Sequence, residues 1–123
     1  MQKSLKTTAS YYKGINGEQK TCDYFEQLGY EILAKRYKSS AGEIDLIITK
    51  NQCLIFVEVK SRATKNDGLQ SISNRQQLRI IASAECFIGD NFAAYQHYDV
   101  RFDVITLDAK GKLTHIENAF GQY

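Results

Sequence analysis

Proline is absent from this 123-residue chain, so element boundaries have to be read from Gly, Asn, Asp and Ser. Cysteine is scarce. Cys22, Cys53 and Cys86 form an odd set with spacings of 31 and 33, which fits neither a disulfide framework nor a zinc site and reads as small apolar core residues in a reducing compartment. No run approaches the roughly 18 apolar residues of a membrane span, since the most apolar stretch, Leu54 to Val57, meets Glu58 at once. Met1 to Tyr12 is polar and lacks the apolar segment of a secretory signal, so the expected location is cytoplasmic, with no membrane partner. Internal repeats and low-complexity segments are also missing.

What is present is ordinary for a globular domain: 43% apolar and 24% charged residues. The length suits one core, and the expected organisation is a flexible segment over 1–13 followed by a single domain over 14–123. A net charge of +2 announces no nucleic-acid partner, but its distribution is uneven. Residues 1–41 hold seven Lys/Arg against four Asp/Glu, and residues 61–85 four against two, whereas residues 86–123 hold three against five. The basic excess flanks a very apolar middle, residues 42–60, that still carries three acids and two lysines.

Periodicity predicts a helix from Asn16 to Leu28 with Cys22, Phe25 and Leu28 inward, ended by Gly29. Strands are expected over Tyr30 to Lys38, Glu43 to Thr49 and Gln52 to Lys60, the last two joined by a Lys50-Asn51 hairpin turn. Arg62 to Leu69 reads as a polar loop. A helical period returns from Ser71 to Ile88, then Val100 to Leu107 alternates like a strand, and Leu113 to Ile116 adds an edge. The order α-β-β-β-α-β makes this an α/β domain, a mixed β-sheet flanked by helices.

Strand period puts Glu43 and Asp45 on one face against Ile44, Leu46 and Ile48, and Glu58 and Lys60 on the face opposite Val57 and Val59. Across the hairpin, Asp45 and Glu58 approach each other, and two like charges there repel unless a cation lies between them. Carboxylate oxygens suit Mg²⁺ or Mn²⁺, and such an ion beside Lys60 suits phosphodiester hydrolysis. The bland reading is a solvated strand face carrying a Glu-Lys ion pair, because a Glu-x-Lys triplet arises by chance about 0.4 times in a chain this long. Glu18, four before Cys22 and seven before Phe25, falls on the inward stripe of the first helix; it is either functional or a first-turn acid favoured by the helix dipole. Gln76 shares a stripe with Ile72, Ile80, Ala84 and Phe87, so it either serves the site or closes a Ser73-x-x-Gln76 capping box.

Several longer motifs stand out: Gly14-x-x-Gly17-Glu18, Gly29-Tyr30-x-Ile32-Leu33, Gly42-Glu43-Ile44-Asp45-Leu46-Ile47, Phe56-Val57-Glu58-Val59-Lys60-x-Arg62, Arg101-Phe102-Asp103-Val104-Ile105 and His115-Ile116-Glu117-Asn118-Ala119-Phe120. Through them residues 14–120 resemble the YraN family of small bacterial proteins, within the PD-(D/E)xK, or restriction-endonuclease-like, nuclease superfamily. The resemblance implies a restriction-endonuclease-like sheet in which Asp45 and Glu58 bind the metal with the Val59 carbonyl as a further ligand, and Lys60 is the catalytic lysine. It places Glu18 like the first-helix acid of Holliday-junction-resolvase-like members, in support of the metal site. Gln76, beside Arg75, stands where relatives often carry Lys, and Lys35-Arg36-Tyr37-Lys38 departs in detail from their Arg-Asn-aromatic-Arg run.

The resulting expectation is a Mg²⁺- or Mn²⁺-dependent endonuclease acting on DNA rather than RNA in a structure-selective or nonspecific way, branched DNA included, in repair or recombination. Asp45, Glu58 and Glu18 would hold the metal, with Lys60 and Gln76 completing the catalytic set and Glu43 in a supporting role. Lys35, Arg36, Lys38, Arg62, Lys65, Arg75 and Arg79 are the candidates for phosphate contacts, which position a duplex without reading bases. Asp103 is expected to pair with Arg101. A resolvase acting on a two-fold junction would be a homodimer. The rival is a non-catalytic nucleic-acid-binding or protein-interaction module that keeps the nuclease fold.

Overall fold

In the computed structural model, residues 9–61 and 72–121 are described, with side chains from residue 17 onward. Helix α1 (Ala9–Gln27) leads into strands β1 (Glu31–Lys38), β2 (Glu43–Lys50) and β3 (Cys53–Ser61). Helix α2 (Asn74–Asp90), the short α3 (Phe92–Tyr95), β4 (Asp99–Leu107) and β5 (Leu113–Ile116) follow. The five strands form one sheet in the order β1-β2-β3-β4-β5. The first three are antiparallel, β4 lies parallel to β3 through the α2 crossover, and β5 turns back along β4. This is the expected mixed α/β architecture. Among the described residues no helix is long and apolar enough to cross a membrane.

Each face of the sheet buries its own core. Cys22 and Phe25 of α1 pack on Leu46, Ile48, Ile55, Val57, Ile105 and Leu107. Ile80, Ala84 and Phe87 of α2 pack on Ile44, Ile47, Phe56 and Phe102 on the other side. Helix α1 comes close because Gly17 has no side chain: a Cβ there would stand 3.2 Å from Leu107 Cδ1.

Three local readings need correction. Helix α1 starts at Ala9 rather than Asn16, and its inward stripe ends at Phe25, because Leu28 lies past the last helical residue and is exposed. The β2–β3 turn is Asn51-Gln52, not Lys50-Asn51, since Lys50 pairs with Cys53 and both turn residues have positive φ (52° and 61°), as a type I′ turn requires. Finally, Ile44 belongs to the α2-side core while Leu46 and Ile48 belong to the α1-side core. Unbroken alternation would put all three on one face, so the pleat of β2 breaks at Asp45.

Candidate active site

The site grows from the end of β3. Glu58 and Lys60 share the α2 side of the strand, as alternation demands, and Glu58 is only 8% exposed amid the apolar core. A buried carboxyl needs partners, and α2 supplies one. Ser73 caps that helix by accepting the Gln76 backbone N–H at 3.1 Å, which holds the Gln76 side chain over the strand. Its Nε2 donates to Glu58 Oε2 at 2.9 Å, and its Oε1 accepts from Lys60 Nζ at 3.4 Å. Ser73 thus caps the helix through the Gln76 backbone N–H, the first half of the expected capping box, while the Gln76 amide is committed to Glu58 and Lys60. Lys60 Nζ stands 3.7 Å from Glu58 Oε2.

Asp45 arrives from β2, whose pairing with β3 ends at Leu46 and Val57. Beyond that point Asp45 Oδ2 accepts the Val59 backbone N–H at 2.8 Å, and the Asp45 and Glu58 carboxyls come within hydrogen-bonding reach of each other. Burial first, and then the Asp45 charge, push Glu58 up to about 8. Burial also raises Asp45, against the pull of the Val59 N–H and of Glu58. At neutral pH the pair thus shares a proton, the usual resolution of two carboxylates crowded in a poorly solvated place. A hard dication resolves the same conflict with oxygen donors alone, so the residues present fit such an ion. Among the described residues, however, no third Asp, Glu, His or Cys completes a cluster with this pair.

Glu18 lies across a cleft from it. The cleft, about 170 Å³ between α1 and the sheet, is walled in part by Glu18, Lys35, Arg36 and Asp45. Rather than pointing inward, Glu18 is exposed and accepts from Arg36 Nε at 2.9 Å, and because α1 starts at Ala9 it lies mid-helix, so it is not a first-turn acid at the helix dipole either. Lys38 sits exposed on edge strand β1, and Arg75 and Arg79 are exposed on α2, next to Gln76 and one turn beyond it. Arg62 and Lys65 lie outside the described residues. Glu43 is exposed at the start of β2, and its charge helps to raise Asp45.

One group was invisible to spacing. Asp103 is fully buried and takes two hydrogen bonds from Arg101 at 2.9 Å each, as expected. It also bonds His115 Nε2 at 2.7 Å and accepts the Asn118 N–H at 2.9 Å. Tyr24 completes the chain through His115 Nδ1 at 2.8 Å. Asp103 in one motif and His115 and Asn118 in the next were the available signal, but nothing in it showed that β5 folds back beside β4.

The profile of the uncharacterised protein family UPF0102 matches residues 17–107, helix α1 through strand β4. The chain belongs to the UPF0102 family. That is the grouping to which the YraN resemblance points. A UPF0102 protein of Rhodopseudomonas palustris (strain HaA2) is 38% identical over 91% of this chain and 87% of its own. A UPF0102 protein of Sulfurihydrogenibium sp. (strain YO3AOP1) is 41% identical over 88% and 93%. Among solved structures, Pyrococcus furiosus SfsA in complex with Ca²⁺ aligns at 13% identity with a TM-score of 0.26, over 82% of this chain and 58% of that one. A likeness that slight carries no argument for a UPF0102 protein.

Proposed function

We propose that this UPF0102 protein is a metal-dependent nuclease that hydrolyses DNA phosphodiesters, selecting structure rather than sequence. The observation that carries the reading is the convergence of Asp45 and Glu58 beside Lys60 and Gln76 at the end of β3. Asp45 and Glu58, with the Val59 carbonyl, would hold Mg²⁺ or Mn²⁺. Bound there, the ion would supply Lewis acidity at the phosphate and a lowered pKa for water. Lys60, partly exposed at 26%, would orient the attacking water and offset charge building on the phosphate. Gln76 is a positioning residue, since its one amide holds Glu58 and Lys60 in register. Lys38, Arg75 and Arg79 would meet neighbouring phosphates.

The test is a panel of linear, nicked, flapped and four-way DNA with Mg²⁺ or Mn²⁺, comparing the natural chain with Asp45→Ala and Lys60→Ala. Cleavage lost in both variants supports the reading. Equal cleavage by all three chains would overturn this site, and binding without cleavage in any metal would favour a non-catalytic module. Analytical ultracentrifugation with and without a four-way junction tests the homodimer expected of a resolvase.

A further inference from the structure

Beside the carboxylate pair, the cleft under α1 shows a feature that a smooth β-ribbon would not produce. Lys35 and Arg36 are consecutive in β1, yet both line this cleft, although neighbours in a strand point to opposite faces. The cause is backbone: Arg36 adopts φ of 51°, a left-handed conformation uncommon for a non-glycine residue. Lys35 pairs with Leu46 and Tyr37 with Ile44, so Arg36 lies level with Asp45, where the pleat of β2 also breaks. Two strands deform at one level, and together they bring two cations and the Asp45 carboxylate to one opening.

The floor is different in kind. Cys22, Leu46 and Val59 line it, and the Thr21 hydroxyl beside them is turned away, donating to the Gly17 carbonyl at 2.9 Å. An apolar floor under a cationic rim matches a flat ring attached to a phosphate. The volume, about 170 Å³, is close to the cavity of about 150 Å³ that holds a benzene ring in another protein, so one base ring fits and a base pair does not. A base stacked in a duplex cannot enter without leaving its stack.

We propose that this cleft receives one unpaired nucleotide of a DNA strand, its base against Cys22, Leu46 and Val59 and its phosphate on Lys35 and Arg36. The inference rests on the nuclease reading, because the nucleotide so held adjoins the phosphate at Asp45. In the free protein Glu18 occupies the cationic rim, bonded to Arg36 with both side chains largely exposed, at 51% and 66%. Exposed ion pairs of this kind are weak, so a phosphate displaces Glu18 readily. Glu18 is then a stand-in anion that leaves when the strand enters, and the preferred substrates are flaps, forks and frayed ends.

Fluorescence anisotropy in EDTA tests this without hydrolysis, using a labelled single-stranded oligonucleotide and a blunt hairpin duplex of the same base composition. The natural chain is expected to bind the single strand about tenfold more tightly, and Glu18→Gln more tightly still. Ser61→Trp, which fills the cleft from its exposed rim, should erase the preference. Arg36→Asn, a residue that tolerates the left-handed backbone, should weaken single-strand binding by about tenfold. Equal affinity of the natural chain for both DNAs overturns the proposal, as does a preference that survives in folded Ser61→Trp or in Arg36→Asn. Should Ser61→Trp lose its circular-dichroism signature, the natural chain and Arg36→Asn decide. A preference found in a protein that never cleaves would remove the nuclease reading alone, and cleavage without the preference would remove the cleft alone.

Discussion

Asp45 Oδ2 accepts the Val59 backbone N–H at 2.8 Å, so a side chain of β2 serves the β3 backbone just beyond the last pair of the ladder, Leu46 with Val57. The bond lets β2 turn out of its pleat without leaving the Val59 donor unpaired, which in a partly buried position would be costly. One residue thereby allows the strands to part and supplies the carboxyl that meets Glu58 in the gap. Four predictions follow from this arrangement and its surroundings.

Glu58 should make the metal-free protein less stable as pH rises. Its carboxyl is pushed up to about 8 in the folded chain against 4.5 ordinarily, so the folded state holds a proton that the unfolded state has lost. Stability then falls across that interval and levels off above it. Thermal unfolding in EDTA across this range should show the decline, and Glu58→Gln should flatten it. An unchanged slope in the variant would locate the titrating group elsewhere.

Metal uptake should have the opposite pH dependence. A dication at Asp45 and Glu58 has to displace the shared proton, and ligands bind only when deprotonated. Below the Glu58 pKa, each unit of added pH should raise apparent Mn²⁺ affinity by up to about tenfold if one proton is released. Isothermal titration calorimetry in two buffers of different ionisation enthalpy counts that proton directly. Asp45→Asn should abolish uptake, and it should also draw the Glu58 pKa down, though not to its ordinary value, because burial remains its largest cause.

The two duties of Gln76 can be separated. Gln76→Ala keeps the backbone N–H that Ser73 caps but releases Glu58 and Lys60, so nuclease turnover should fall about 10- to 100-fold, the range seen when residues supporting a metal site are removed, with little change in melting temperature. Ser73→Ala removes the cap and should cost about 1 kcal/mol of stability. Equal losses of turnover and stability in both variants would mean that the amide merely packs.

Asp103 should matter to the fold far more than its single charge suggests. Burial alone would raise this carboxyl, but His115, Arg101 and the Asn118 N–H together hold it below the ordinary 3.8. Its contribution is therefore complete above that value and lost as pH falls through the lower folded pKa. Asp103→Asn should cost about 3 kcal/mol by urea denaturation and loosen β5, which His115 within it and Asn118 just after it fasten to β4. Faster amide exchange confined to residues 113–118 would show that loosening.

Much of this molecule could be read along the chain. Alternation along Gln52 to Lys60 put Glu58 and Lys60 together and the valines behind them, because β3, unlike β1 and β2, keeps its two-residue repeat up to the site. The Asn51-Gln52 turn was missed by one residue, since the Lys50–Cys53 pairing that decides the register involves both strands. Glu18 was misjudged for a similar reason: helical spacing gives the direction of a side chain but not where the neighbouring strand ends. Its partner Arg36 turns toward it only through a left-handed kink in β1.

Local pattern, then, determined the order of the main elements and picked out the candidate acid, lysine and amide groups, because backbone period depends on near neighbours alone. Tertiary structure decided which of them meet. The break of β2 at Asp45, the kink at Arg36, the perch of Gln76 over Glu58 and the fold of His115 onto Asp103 all arise where separate segments compete for the same hydrogen bonds and the same space.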